Sequence, residues 1–142
     1  MDEKFIAKTK ITIEASISRV WEALVTPNLI KQYFFGTEVI SDWKEGSPIV
    51  WKGEWKGKPY EDKGVILKIE PEKLLTVTHY SPLSGIADIP ENYHKLCYEL
   101  TTNGNSTKIV LTQDNNGNED EQKQSEKNWS MVLEGLKKLL EK

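Results

Sequence analysis

The sequence predicts an α+β fold: a curved antiparallel sheet of about seven strands against a long C-terminal helix, with two short helices after the first strand. Three observations predict it. Apolar and polar residues alternate over 5–14, the period of a strand, and 37–114 reads as a series of strands punctuated by turns. Apolar residues recur at helical spacing in 17–34 and 129–140, one face of a helix in each case. The links between successive strand-like segments are short, whereas a parallel pair needs a crossover of about a dozen residues.

In chain order, "FIAKTKITIE" sets Ile11 and Ile13 against Lys10 and Thr12 and reads as a strand. Ser16 is placed to cap a helix whose face carries Ile17, Val20, Trp21 and Leu24. Thr26 followed by Pro27 starts a second short helix, which carries Leu29, Ile30, Tyr33 and Phe34 and stops at Gly36. Strands follow near 37–43, 47–56, 60–70, 73–81, 93–102 and 105–114, with breaks at "KEGSP", "KGKP", "EPEK" and "TNGN". The exception to the short links is "SPLSGIADIPEN", residues 81–92; connections of this length tend to be functional covers or mobile segments. The final helix spans about 119–141: Asn118 caps it, Glu121 holds the reciprocal capping-box position, acids fill its first turn, and Trp129, Val132, Leu133, Leu136, Leu139 and Leu140 form its stripe. Sheet and helix must bury these faces against each other, which gives two layers.

A chain of 142 residues fits one domain, 1–142. No apolar run reaches the roughly 20 residues that span a bilayer, and "MDEKFIAKTK" lacks the apolar segment of a signal peptide. With a lone cysteine, Cys97, which cannot form an internal disulfide, this points to the cytoplasm. A net charge of -3 and a single arginine, Arg19, argue against nucleic acid as a partner, because phosphate backbones recruit basic surfaces and above all arginine forks.

The search for chemistry yields little that converges. His79 and His94 flank the long connection; if their strands pair symmetrically about it they lie opposite each other, with Glu99 or Asp88 as a conceivable third metal ligand. Zinc sites use three or four protein ligands and no close ligand pair is visible, so hydrogen-bonded sheet histidines, no metal and no cofactor are expected. His94 and Cys97 stand three apart on one strand and face opposite sides, which argues against a dyad. Glu61 and Asp62 alternate faces for the same reason. No phosphate-binding glycine loop occurs, and a binding role is expected over an enzymatic one.

The aromatics leave two readings open. In "VWKGEWKG", Ile49, Trp51, Gly53 and Trp55 share one strand face. Trp21, Trp43, Trp51, Trp55 and Trp129 either fill a core or wall a pocket in which His79, Tyr80, Tyr98 and Ser41 orient a guest, since pockets are apolar with sparse polar contacts.

The segments "ITIEASISRVWEALVTPNLIKQYF", "SDWKEGSPIVWKGEW", "GVILKIEPEKLLTVTHYS" and "NWSMVLEGLKKLLEK" resemble the family related to the activator of the heat-shock protein 90 ATPase, within the START-like (SRPBCC) superfamily. The match runs through scaffold positions: Trp21, Leu24, Pro27, Trp43, Gly46, Gly64, Pro71, Leu75 and Trp129. Ile17 stands where relatives commonly have proline, and Asn128 where a glycine often precedes the tryptophan. The resemblance is to the C-terminal domain of the two-domain eukaryotic co-chaperone and to single-domain bacterial relatives.

It implies a helix-grip fold and a cavity between sheet and C-terminal helix for an apolar, amphipathic or lipid-like small molecule. Expected to wall it are Trp51, Trp55, Leu67, Val77, His79 and Tyr98 from the sheet and Trp129, Leu133 and Leu136 from the helix, with the 81–92 connection gating access. The family offers no invariant catalytic set. Two other functions follow from the resemblance: a protein-interaction module that regulates a chaperone, and a cyclase- or hydrolase-type enzyme with His79 as its first candidate.

Overall fold

The structure is a computed structural model, and residues 5–55, 57–82 and 85–141 are described, apart from the side chain of Trp55. Strand β1 (Ala7–Ile13) leads into helices α1 (Ile17–Val25) and α2 (Pro27–Tyr33), then strands β2 (Glu38–Ser41), β3 (Pro48–Trp55), β4 (Lys58–Glu70), β5 (Leu74–His79), β6 (His94–Asn103) and β7 (Ser106–Gln113), and finally helix α3 (Glu119–Leu140). The sheet order is β1-β7-β6-β5-β4-β3-β2 and every pairing is antiparallel. The chain therefore runs a six-strand meander and closes it by laying β1 beside β7.

Local chemistry sets the helix ends. The Ser16 side chain accepts the Arg19 N–H at 3.3 Å, a cap that contributes about 1 kcal/mol. Thr26 makes no side-chain cap bond, so α2 starts on Pro27 instead. For α3, Asn118 Oδ1 accepts the Glu121 N–H at 2.8 Å. The return bond differs by one residue from the capping-box expectation: Glu121 Oε1 accepts from Gly117 N at 2.8 Å.

The stripe of α3 covers the inner face of the sheet, with Val132, Leu133, Leu136 and Leu140 buried against Ile13, Ile109 and Leu111 of the β1–β7 side and against α1 and α2. The helix pair fills the end of the interlayer space near Leu24, Ile30 and Tyr33.

One sheet irregularity corrects the sequence reading. Ile66 faces Val77 and Lys68 faces Thr76, so two steps on β4 match one on β5 and Leu67 is the extra residue of a β-bulge. A bulge reverses the inward phase: Ile66 is buried before it and Ile69 turns inward after it, while Leu67 is 47% exposed. Leu67 does not wall the interior. Strict alternation would have put Leu67 with Ile69, and the sequence carries no turn residue to announce the slip.

Candidate functional site

Between the inner face of the sheet and the N-terminal half of α3 lies a cavity of about 390 Å³. Its sheet wall is built from inward positions of four strands: Trp51, Tyr60 and Asp62, His79, and Leu96. Its opposite wall is Ser125, Asn128, Trp129 and Val132 of α3, and the half-exposed Phe35 and Met131 stand at its rim. The end of α2 contributes Phe34.

Antiparallel register places Trp51 directly across from Asp62, and β5 lies on the other side of β4. His79 Nε2 and Asp62 Oδ2 are 2.9 Å apart, and the His79 ring stands edge-on to Trp51, centroids 5.0 Å apart at 66°. Asp62 Oδ1 is shut off from solvent and has no hydrogen-bond partner among the described residues. A buried acceptor without a donor costs about 1–3 kcal/mol, more when charged, so this carboxylate is an unrelieved cost at the cavity wall.

The opposite wall carries a hydrogen-bond network centred on Gln113 and Asn116. Trp129 Nε1–H donates to Gln113 Oε1 at 2.6 Å; the Gln113 amide donates to Ser125 Oγ at 3.4 Å and Asn116 Oδ1 at 3.3 Å. The Ser125 hydroxyl donates to Asn116 Oδ1 at 2.9 Å, and Asn116 donates to the Phe5 and Gln113 carbonyls. Phe34 and Tyr98 meet the Trp129 ring edge-on at 5.6 and 6.4 Å. Trp129 is therefore fixed by both its apolar and its polar ends.

Gly53 answers the question raised by "VWKGEWKG". A Cβ there would come 2.5 Å from Tyr60 Oη, so the room left by the missing side chain is taken by the Tyr60 phenol, whose oxygen lies 2.6 Å from Thr37 Oγ1. The glycine lets Tyr60 lie flat on the strand face beside Trp51 and become part of the wall.

Of the residues expected at the site, Trp51, His79 and Trp129 line this cavity. Val77 and Tyr98 line a smaller space of about 30 Å³ on the α1–α2 side, with Phe34 and Trp51 shared between the two. Leu133 and Leu136 are fully buried in the core. The side chain of Trp55 lies outside the described residues.

His79 and His94 do face each other in register, ring centroids 6.1 Å apart. His94 Nδ1 lies 2.8 Å from the Asp114 carbonyl, and among the described residues no group of three metal-ligating side chains occurs. Neither third ligand is in place, since Glu99 is exposed on the outer face and Asp88 binds Lys63. Ser41 and Tyr80 are not among the described residues that line this cavity. Ser41 Oγ accepts from Trp43 N at 3.0 Å.

Tyr80 bridges to Lys63 on the outer face of the sheet, which also relocates the long connection. The Tyr80 hydroxyl donates to the Ile86 carbonyl at 2.5 Å, its ring stacks on Tyr93 at 5.2 Å, and Tyr93 Oη donates to Asp88 Oδ1 at 2.6 Å. Lys63 Nζ meets Asp88 Oδ2 at 2.5 Å. These contacts hold the connection against the outer face, and of its described residues Ser81 lines the cavity.

Sequence reasoning missed Phe34, Tyr60, Asp62 and Gln113 as wall residues. Asp62 carried a usable signal: it shares the inward phase of Gly64 and Ile66, where a carboxylate is out of place.

Two buried phenols mark the packed side. Burial pushes the Tyr98 hydroxyl well above its usual titration range. Burial, then proximity to Tyr98, does the same to Tyr33, whose hydroxyl donates to the Ala23 carbonyl at 2.8 Å.

Sheet, helix pair and long gripping helix together define a helix-grip protein of the SRPBCC type. Residues 14–141 match the family described as "Activator of Hsp90 ATPase homolog 1-like protein", and the chain belongs to that family. Among solved structures it is similar to ChR145 from Cytophaga hutchinsonii, with 58% identity, 99% of this chain and 97% of that one covered, and a TM-score of 0.86. The Aha1 dimer of Colwellia psychrerythraea shares the fold at 23% identity, 95% coverage of each chain and a TM-score of 0.73. So does DynU16, from the dynemicin biosynthetic locus, at 18% identity, 99% coverage of this chain and 48% of that one, and a TM-score of 0.80. No curated protein matches the sequence. Among the described residues, no helix is long and apolar enough to cross a membrane.

Proposed function

We propose that this chain is a small-molecule binding module that takes an apolar or amphipathic guest between its sheet and α3. The observation that carries this reading is the cavity: its volume of about 390 Å³ exceeds the roughly 300 Å³ at which drug-sized ligands begin to fit. Aromatic walls with a few polar groups are the usual composition of such sites. On this reading Trp51, His79 and Trp129 touch the guest, Val77 and Tyr98 form the floor behind Trp51, and Leu133 and Leu136 hold the helix wall at its distance. The whole chain, 1–142, works as one domain in the cytoplasm.

The test is to denature the purified protein, examine the extract by mass spectrometry, and screen apolar compounds by thermal shift. A guest at about 100 times its Kd adds roughly 2.7 kcal/mol, a visible rise in Tm. No co-purified compound and no stabilisation across the panel would sink the reading.

Membership of the Hsp90-activator family supports a second reading, a surface that regulates a chaperone. It predicts stimulation of the cognate chaperone's ATPase with the cavity empty. Neither stimulation nor co-precipitation would remove it.

A further inference from the structure

Resting on the small-molecule reading, we infer that the guest carries a hydrogen-bond donor without negative charge, a hydroxyl or an ammonium on an apolar body, and that Asp62 reads it. Asp62 supplies the only carboxylate among the described residues that line the cavity, and no lysine or arginine stands among them. Among the described residues the one lining side chain able to become cationic is His79, and its Nε2 is already engaged by Asp62 Oδ2 at 2.9 Å. An anionic headgroup would therefore meet a carboxylate and no free cation, and both would have to leave water together. A donor meets the opposite situation. Among the described residues Asp62 accepts one hydrogen bond, at Oδ2; Oδ1 is shut off from solvent, so the capacity offered to a guest is the remaining acceptor site of Oδ2, an ionised carboxylate having about four such sites in all. The exposed 16% of the Asp62 side chain belongs to a residue of the cavity wall.

Across the cavity, Trp129 Nε1 and Gln113 Oε1 satisfy each other. The rings of Trp51, Phe34 and Tyr60 in the wall add a preference for cations over anions wherever a ring face meets the guest, because aromatic faces are negative.

The experiment uses four probes with one shared body: 2-naphthalenemethanol, 2-naphthylmethylamine, 2-naphthoic acid and 2-methylnaphthalene. Each is titrated calorimetrically into the full-length protein at pH 7, where the amine is cationic and the acid anionic. We expect the alcohol or the amine to bind at least about tenfold more tightly than the acid, a difference of about 1.4 kcal/mol; the stronger of the two tells whether the natural donor is neutral or charged. An acid that binds as tightly as both would overturn the inference and leave the small-molecule reading standing, whereas no heat with any probe, the hydrocarbon included, would overturn both. In Asp62→Asn, with folding verified by its indole N–H resonances, the gap should fall below about threefold, because an amide can donate to the acid as well as accept. An undiminished gap would overturn the assignment to Asp62. Should that variant not fold, the four wild-type affinities decide.

Discussion

The interlayer space has two ends that use similar residues to opposite effect. On the α1–α2 side, Leu24, Ile30, Tyr33, Val77 and Tyr98 leave about 30 Å³. On the other side, Trp51, Tyr60, His79 and Trp129 leave about 390 Å³. Both ends are aromatic, and α3 residues line the larger of them. What separates them is a filler. The helix pair lines the first end with Leu24, Ile30, Tyr33 and Phe34, whereas at the second it is represented among the described residues by Phe34 at the end of α2. Polar groups follow suit: the buried Tyr33 hydroxyl has its carbonyl, whereas Asp62 Oδ1 has no partner among the described residues. One end satisfies its buried hydroxyl and the other carries a polar atom left unmet among the described residues.

Four substitutions or conditions would break or sharpen this contrast. The largest effect belongs to Leu136→Ala in the packed core, where the side chain is fully buried: a loss of about 2–5 kcal/mol in urea unfolding is expected. A loss under about 1 kcal/mol would mean that this end is as loose as the other. Next, Tyr33→Phe removes the donor to the Ala23 carbonyl and should cost about 1–3 kcal/mol, since the carbonyl stays buried; an unchanged urea midpoint would show that water replaces the phenol.

At the open end, Asp62→Asn should leave stability within about 0.5 kcal/mol or raise it, because it removes a charge with an unsatisfied oxygen. A clear destabilisation would show instead that the His79 pair supports the fold.

The smallest effect concerns the outer face. Hydrogen bonds from Lys63 and then Tyr93 lower the Asp88 pKa below its ordinary 3.8, and the Asp88 bond raises that of Lys63 above 10.5. The sign follows from linkage. Asp88 stabilises the fold above its ordinary value and loses that contribution as pH falls through the lowered one. Lys63 contributes below its ordinary value and loses it as pH rises through the raised one. The long connection should therefore show weakened hydrogen-exchange protection below about pH 4, while the amides around Trp51 keep theirs. The pair is half exposed, so the effect is small. Loosening around both at once would mean that the connection braces the cavity after all.

Particular residues show how far the sequence reaches. Ser16, Pro27 and Asn118 fixed three helix starts because caps are local. Alternation with short links led to the meander, and the register of His79 with His94 followed from symmetry about the long connection. Leu67 escaped because a bulge reverses phase without a signature residue, and Tyr80 because a residue just past the inward-facing His79 turns outward and takes the connection with it.

By itself the sequence determined the elements, their antiparallel order and the aromatic content of the inner face, because period, caps and link lengths act over a few residues. Whether those aromatics would close up or stand apart was decided only in the tertiary structure. That outcome depends on where Tyr60 folds over Gly53, how Gln113 pins Trp129 and how far α1 and α2 reach under α3. These are distances between residues remote in the chain, which no local pattern encodes.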